Sequence, residues 1–497
     1  MLGCLGLAIA AGVARSTSIP VPSFAAKRAY PAGGEAPSLI GVADLNGDST
    51  PDLVTLVGRR VSVFLNTGHG AFRARHDYQT GSSPDVGAVA DLNGDGKPDL
   101  VTANRGGSGS VSVLLNRGDG SFGPRRDYAA GGGGGQQTLA IADVNGDGNR
   151  DLIVGHEAGS VSVLLGNGDG TFQPRRDYAT RSPVTSLAVA DLNGDAKPDL
   201  VAVGNYSALF VFLNNGNGIF QAPHRYRVSS AQSLAIGDLN GDGRPDLVTV
   251  TGVSGGPGAV SVFLNRGDGS FRPRRDYVLQ GGVIPGTGGG PASVAIGDLN
   301  GDGKPDLVTI DLEAAGSDAV GFSVLLNRGD GTFGSRRDYR VWGDLWSIAI
   351  GDLNRDGRPD LVASDSLLNG VSVFLNEGRG RFQARRDYPT GLLTGDVAIS
   401  DLNGDGRPDL VTANDNSVAV LLNRPGLCDV QNVVGFKPAF AKWRLAGVNC
   451  HAVIRRVYNP KVQRPKGGIV IGQRPDYGRV LPAGGKVRLL VGFGRRR

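Results

Sequence analysis

The phrase that most constrains this chain is DLNGDGKPDL at residues 91–100, which returns with small edits seven more times. Taking its first Asp as a marker, the repeats begin at Asp44, Asp91, Asp143, Asp191, Asp238, Asp298, Asp352 and Asp401, 47 to 60 residues apart. That period suits a four-stranded blade rather than a helical repeat. Two further phrases accompany each loop, one like FGPRRDY (122–128) before it and one like VSVFLNRGDGSF (260–271) after it. SLAVAD and LVTV flank the loop, and VSVLLN is rich in β-branched residues and too short for a helix. The pattern predicts a meander of four strands, A to D, with the acidic loop between A and B. Strand A places Ala and Gly between larger apolar residues, as in SVAIGD, which suits an innermost strand crowded round a channel.

The ends of the array say how it closes. FAAKRAY (24–30) reads as a D strand with no A, B and C before it, and LLN (421–423) as a C strand with no D after it. Pairing the two completes a last blade and leaves no open edge. The expected fold is therefore mainly β, an eight-bladed propeller over residues 24–423 closed by its amino-terminal strand.

The acidic loop supplies oxygen-bearing side chains at positions 1, 3, 5 and 9. They are Asp44, Asn46, Asp48 and Asp52 in the first loop, Asp91, Asn93, Asp95 and Asp99 in the second, and Asp143, Asn145, Asp147 and Asp151 in the third. The fourth and fifth have Asp191, Asn193, Asp195, Asp199 and Asp238, Asn240, Asp242, Asp246. The last three have Asp298, Asn300, Asp302, Asp306, then Asp352, Asn354, Asp356, Asp360, then Asp401, Asn403, Asp405, Asp409. Calcium takes six to eight oxygen ligands in flexible geometry, so these residues predict up to eight Ca2+ sites, one per repeat. Lys97, at position 7, should offer its carbonyl and turn its ammonium to water. An EF-hand is excluded, because it needs Glu at position 12 and flanking helices, whereas position 12 here is Thr, Val or Ala and the flanks are strands. Ser49 and Ala196 replace the turn glycine, making the first and fourth sites the weakest. Arg355 in the seventh loop reads as a solvated charge.

These phrases resemble FG-GAP or VCBS repeats, the units of the integrin α-subunit propeller and of many bacterial surface proteins, over residues 24–423. The resemblance implies a calcium-bearing propeller used for binding or adhesion. Members of the family commonly have seven blades, which keeps seven as the alternative to the eight counted from the repeats.

Residues 1–23 read as a signal peptide and leader, with an apolar run from Leu2 to Ala14 too short to span a bilayer. Export would make the chain secreted or bound to a bacterial wall or surface, with no transmembrane segment. Cys428 and Cys450 would then form one disulfide, closing a loop worth about 3 kcal/mol in the chain-entropy model. From Arg424 onward there are 16 Lys or Arg against two Asp, whereas the chain before it carries 36 basic and 45 acidic residues. A tail so basic favours an anionic polymer. An exported chain without a nucleic-acid motif argues against nucleic acid. Residues 424–497 suggest a short strand, a helix from Pro438 to Ala446 and two more strands. NVVG (432–435), Ala441, Leu445, Gly447 and Gln473, Pro475 and Gly478 of QRPDYG make this stretch similar to a PASTA domain. That small α+β domain implies peptidoglycan binding in some proteins and a spacer in others.

RGD occurs in three C–D turns, but the same turn elsewhere reads HGA, NGD or GRG, so turn chemistry persists rather than an adhesion ligand. RRDY falls on the outermost strand, where charge guards an edge against pairing or forms a basic rim. Trp342 and Trp346 could stack a sugar or fill a core. The five His have no ligand spacing and no nucleophile has a base partner, so no catalytic residue is expected. The functional expectation is a binding module with an unknown protein or glycan ligand, anchored at the wall. The alternative is a carbohydrate-active enzyme such as a polysaccharide lyase, or a lectin, using the B–C and D–A loops.

Overall fold

The structure is a computed structural model and describes residues 22–493 apart from internal stretches, the longest being 252–256, 283–292, 312–319, 459–468 and 475–479. Residues 1–21 of the segment 1–23 read above as a signal peptide and leader, Trp342, Trp443 and most of the NVVG and QRPDYG motifs lie outside the described residues. None of the described helical residues belongs to a helix long and apolar enough to cross a membrane.

Eight four-stranded antiparallel sheets follow one another along the chain. The first contains β2 (Ser38–Ala43), β3 (Asp52–Val57), β4 (Arg60–Phe64) and β5 (His76–Gln79). The first strand of each sheet is half-buried and lies against the first strand of the next. The succession runs from β2 through β6 (Pro84–Ala90), and β32 (Val397–Ser400) returns to β2. The small residues of these strands make room for one another: a Cβ on Gly41 would stand 3.1 Å from Val89, and one on Gly351 3.0 Å from Ile399. Second strands are buried on both faces, as their unbroken apolar runs require. This arrangement is a β-propeller.

Closure uses the amino-terminal strand. β1 (Arg28–Pro31) pairs with β34 (Ser417–Leu421), so the last sheet has the order β1-β34-β33-β32 with β33 at Asp409–Asn414. Phe24 bridges Asn423, the contact that Phe72 makes with Asn66 in the first sheet.

Between sheets, one aromatic pair recurs at every seam. The Tyr of each RRDY phrase meets the Phe of the following repeat edge-to-face: Tyr30 with Phe72, Tyr78 with Phe122, Tyr128 with Phe172, and Tyr178 with Phe220. Tyr226 with Phe271, Tyr277 with Phe333 and Tyr339 with Phe382 continue the series. Tyr388 meets Phe24 at 4.9 Å, so the closing seam has the same chemistry as the rest. Each such pair adds about 0.5–1.5 kcal/mol beyond the area it buries. The Tyr hydroxyls also accept the next Phe amide, as in Phe122 N to Tyr78 Oη at 3.3 Å and Phe333 N to Tyr277 Oη at 3.0 Å.

RRDY is thus seam chemistry rather than edge protection. Its Asp takes a hydroxyl from strand C, Ser62 to Asp77 at 2.7 Å and Ser162 to Asp177 at 2.6 Å, and pairs with its first Arg. That Arg also donates to a carbonyl of the preceding sheet's outer strand or just beyond its end, Arg125 to Thr80 and Arg274 to Arg227. The sequence pattern alone hid this, because the partner lies one repeat away.

In the tail, Pro438, Ala441, Lys442 and Leu445 are helical, as expected. The sheet contains a strand that the sequence reading did not include, β36 (Cys450–Tyr458), in the order β36-β39-β37 with β37 at Ile469–Arg474 and β39 at Gly485–Phe493. Alternation of half-buried Ala452 and Ile454 with exposed Val453 and Arg455 was its signal. β35 (Leu427–Asp429) and β36 carry Cys428 and Cys450, whose side chains lie outside the described ones.

Phe24→Ala should cost about 3–5 kcal/mol, since it empties a fully buried site and leaves Tyr388 without its ring partner. Removing residues 1–31 should do more, lowering the melting temperature sharply and causing self-association through the bared edge of β34. A truncated chain that melts unchanged and stays monodisperse would refute closure by β1.

Candidate metal-binding loops

Each acidic loop is a tight turn whose carboxylates accept its own amides. In the second loop, Asp91 Oδ1 accepts Gly94 N at 2.8 Å and Asp95 N at 3.2 Å, and its Oδ2 accepts Gly96 N at 2.8 Å. Asn93 Oδ1 accepts Asp95 N at 3.0 Å, and Asp95 Oδ1 accepts Lys97 N at 3.0 Å. The same set recurs in the fourth and fifth loops. Positions 1, 3 and 5 are thus held on one short exposed arc.

Position 9 turns inward. Asp52, Asp99, Asp151, Asp199, Asp246, Asp306, Asp360 and Asp409 are all fully buried. One oxygen of Asp99 accepts Leu92 N at 2.9 Å, and the other accepts Asn116 N, at the end of strand C, at 2.7 Å. Asp409 does the same with Leu402 N at 3.0 Å and Asn423 N at 2.6 Å. Burial pushes these carboxyls up, to about 6 for Asp99 and about 7 for Asp360 and Asp409. The two backbone amides oppose that rise, and the carboxylates at positions 1 and 5 of the same loop add to it.

The donor chemistry suits a hard cation: two carboxylates and an amide oxygen on one arc, with a third carboxylate close enough to feel their charge. Each oxygen that accepts one amide keeps a further lone pair. Among the described residues, no three acidic, His or Cys side chains stand together in a metal-holding cluster. Position 7 departs from expectation. Lys97 Nζ lies 3.3 Å from Asp95 Oδ2, Lys197 Nζ 3.4 Å from Asp195, and Lys304 Nζ 3.8 Å from Asp302. These cations turn back onto the carboxylates because the loop concentrates negative charge there. Lys304 Nζ also donates to the Arg328 carbonyl at 3.0 Å, tying the loop to the C–D turn at the same end of the sheet.

A second element was not foreseen. The Asn closing strand C sends its side-chain amide to two carbonyls, one in its own acidic loop and one in the loop of the preceding sheet. Asn116 Nδ2 donates to Pro98 O at 2.9 Å and to Leu45 O at 2.8 Å. Asn214 reaches Val144, Asn265 reaches Leu192, Asn327 reaches Leu239 and Asn376 reaches Leu299. Asn423 reaches Leu353 and Asn66 reaches Leu402, which carries the belt across the closure. The third repeat breaks it. Gly166 stands where the others have Asn and Arg150 where they have Pro, and a Cβ on Gly166 would lie 2.3 Å from the Arg150 carbonyl. An Asn at nearly every strand end was the available signal.

Backbone strain follows the glycine substitutions. Ser49 and Ala196 hold φ of 66° and 62° where the other loops have Gly, as expected. Arg355 holds 59° at position 4, so it too sits in the left-handed region and is more than a solvated charge.

The RGD aspartates are spent on their own turns: Asp119 accepts Ser121 N and Asp268 accepts Ser270 N, both at 2.9 Å. His156 Nε2 lies 2.9 Å from Ser162 Oγ, which donates to Asp177. His156 and Ser162 are buried, and burial pushes His156 down to about 4. Asn104 takes the same place in the second sheet, bonding Ser112 at 2.9 Å, so the trio is a packing device. Trp346 is 38% exposed and donates Nε1 to Ser366 Oγ at 3.2 Å.

With this geometry established, comparison with known proteins shows that the FG-GAP-like repeat family matches at residues 44–102, 91–154, 143–202, 191–249, 250–309, 310–363 and 352–412. The chain belongs to the FG-GAP-like repeat family. No curated protein matches it. Among solved structures, Saccharomyces cerevisiae Sqt1 is similar in fold, with TM-score 0.58 and 13% identity over 81% of this chain and 100% of that one. An Agrocybe aegerita lectin that recognises non-reducing terminal N-acetylglucosamine is 27% identical over 61% of this chain and 80% of its own, with TM-score 0.44. The Vibrio cholerae biofilm matrix protein Bap1 is 13% identical over 81% of this chain and 91% of its own, with TM-score 0.46.

Two outcomes are expected. Ala196→Gly should stabilise the fold by about 1 kcal/mol, read as a rise in melting temperature, and Gly96→Ala should lower it by a similar amount. In chelator, the raised carboxyls at position 9 give stability that is fully present below the unfolded Asp value and lost as pH rises through about 6 to about 7. The metal-free chain should therefore melt higher near pH 5 than near pH 8, and the opposite slope would refute the assignment.

Proposed function

We propose that this protein is an exported binding module: an eight-bladed propeller whose A–B loops carry Ca2+, joined through residues 424–497 to a PASTA-like unit that holds it at the cell wall. The observation that carries this reading is the acidic loop repeated in register. Each gathers three carboxylates, one of them buried, in a fold where burial and like charge both work against ionisation. A divalent cation held by positions 1, 3 and 5 beside the buried Asp offsets that charge, and the position 7 cation offsets part of it when metal is absent. Calcium is then a staple in each blade rather than a switch. The first and fourth loops, strained at Ser49 and Ala196, load last.

The partner of the propeller belongs to the opposite end. Acidic loops and C–D turns share one end, while B–C turns and D–A connections meet at the other, as in Thr180 N to Gly159 O at 3.0 Å. The second end is where the repeats stop agreeing with one another, and selectivity must come from residues that differ. A glycan ligand is the reading we favour there, because Trp346 is partly exposed while its Nε1 is held by Ser366. We read the protein as a binder rather than an enzyme: Ser162 and His156 are buried, and the acidic loops are assigned to calcium.

Melting of the full chain should rise steeply with added calcium and fall in chelator, with binding constants near the 10⁻⁴ to 10⁻³ M typical of extracellular modules, read by calorimetry. A melting temperature indifferent to both would end the calcium reading. A glycan array probed with the full chain and with Trp346→Ala should show signal lost in the variant; equal signal would move the ligand site elsewhere.

A further inference from the structure

The solvent face of the carboxyl-terminal sheet is built against the usual rule for strand pairing. β37 and β39 are antiparallel and place Arg474 directly opposite Arg488, while β36 and β39 are parallel and place Val453 beside Arg488. Lys486 lies two residues before Arg488 on β39, and Arg455 two residues after Val453 on β36, so both project to the same side. Arg455, Arg474, Lys486 and Arg488 are all exposed. The other side of the same strands carries Val470, Val487, Leu489 and Val491, all buried in one apolar cluster. Register is therefore fixed by the apolar side, and it forces the four cations together on the other.

Like charges directly opposite one another destabilise a strand pair, and neighbouring strands are only about 4.8 Å apart. None of the four cations has an acidic partner among the described residues, whereas the first Arg of the propeller's RRDY phrase is repeatedly paired with its Asp. Four exposed cations held side by side with no carboxylate among them make a surface that negative charge from outside would complement. The guanidinium fork suits planar carboxylates, and aliphatic Val453 and Leu490 between the charges give a sugar backbone something to lie on. No aromatic side chain is exposed among the described residues of this face, which removes the stacking platform that single-stranded nucleic acids use.

We infer that the outward face of β36-β39-β37 is the surface that binds the carboxylate-bearing glycan of the cell wall, with Arg474 and Arg488 as its central pair. This rests on the wall-attachment reading above. It goes further by assigning that attachment to four named side chains on one sheet face rather than to tail charge in general.

The test is co-sedimentation of the full chain with purified peptidoglycan at about 50 mM and about 500 mM salt, comparing the natural chain, Arg474→Glu/Arg488→Glu, and Lys461→Glu/Lys466→Glu. The arginine variant should bind at least about tenfold more weakly at low salt, and the lysine variant, with the same net charge, should bind like the natural chain. Binding by the natural chain should fall at high salt. A fold control runs the opposite way: single Arg488→Glu puts opposite charges across β37 and β39, so it should melt no lower than the natural chain while binding more weakly. If both double variants lose binding equally, the sheet-face assignment fails and the wall reading stands. If the natural chain does not sediment with peptidoglycan at low salt, the wall reading fails and takes this inference with it. Tighter binding to duplex DNA of matched charge than to peptidoglycan would overturn the inference in favour of nucleic acid.

Discussion

The buried aspartate at the end of each acidic loop is the junction on which the ring depends. One of its oxygens holds the loop's second amide and the other holds the amide of the residue that closes strand C, an Asn in every repeat but the third, so a single carboxylate joins the A–B loop to the far side of its own sheet. That Asn then reaches the carbonyl of the same loop residue in the neighbouring sheet. Loop, strand end and seam are locked by two side chains. Removing such a carboxylate would leave two buried amides unpaired, a loss of about 1–3 kcal/mol for each. Keeping it ionised beside two more carboxylates is the opposing demand, and the loop's position 7 cations answer it in part.

The conserved-looking phrases divide by what they hold. In FGPRRDY the Phe and the Tyr each meet a ring of a neighbouring repeat edge-to-face, the Asp ties strand D to strand C through a Ser hydroxyl, and the first Arg crosses to the preceding outer strand. In VSVFLN the alternation of Val with Ser puts apolar residues in the core and the hydroxyl on that Asp. Almost every repeated side chain is engaged in building the ring, which leaves specificity to the positions where the repeats disagree.

Much of this was legible in the sequence because it is local. A period-two apolar run with turn chemistry on either side gives strands and their order, and the unmatched FAAKRAY and LLN phrases pointed to a closure that β1 and β34 make. What escaped was what passes between repeats. The role of Asn116 lies in a carbonyl 71 residues away, and that of Arg125 in one 45 residues away, distances at which no periodicity speaks. β36 escaped for a different reason: Arg456 interrupts the alternation that runs from Ala452 to Arg455, and its partner β39 is parallel and remote. For the acidic loops, residue types and spacing were legible but orientation was not. Position 9 reads as one more ligand in a string of four, whereas in the fold it is buried with both oxygens on amides.

The gap in the Asn belt says how the loops are coupled. Seven links join the loops, and the missing one falls between the second and third sheets, where Gly166 replaces the Asn. A ring with all its links would spread any change at one loop in both directions, whereas a ring with one gap is a chain with two ends. The third sheet keeps its Tyr128–Phe172 seam contact but lacks the loop-to-loop amide, so its acidic end is tied to the second sheet less firmly than its core is. Strain arising at one loop will therefore be relieved first at that seam. The paired departure at Arg150 and Gly166 fits this, since the Arg150 carbonyl occupies space that a side chain at 166 would need.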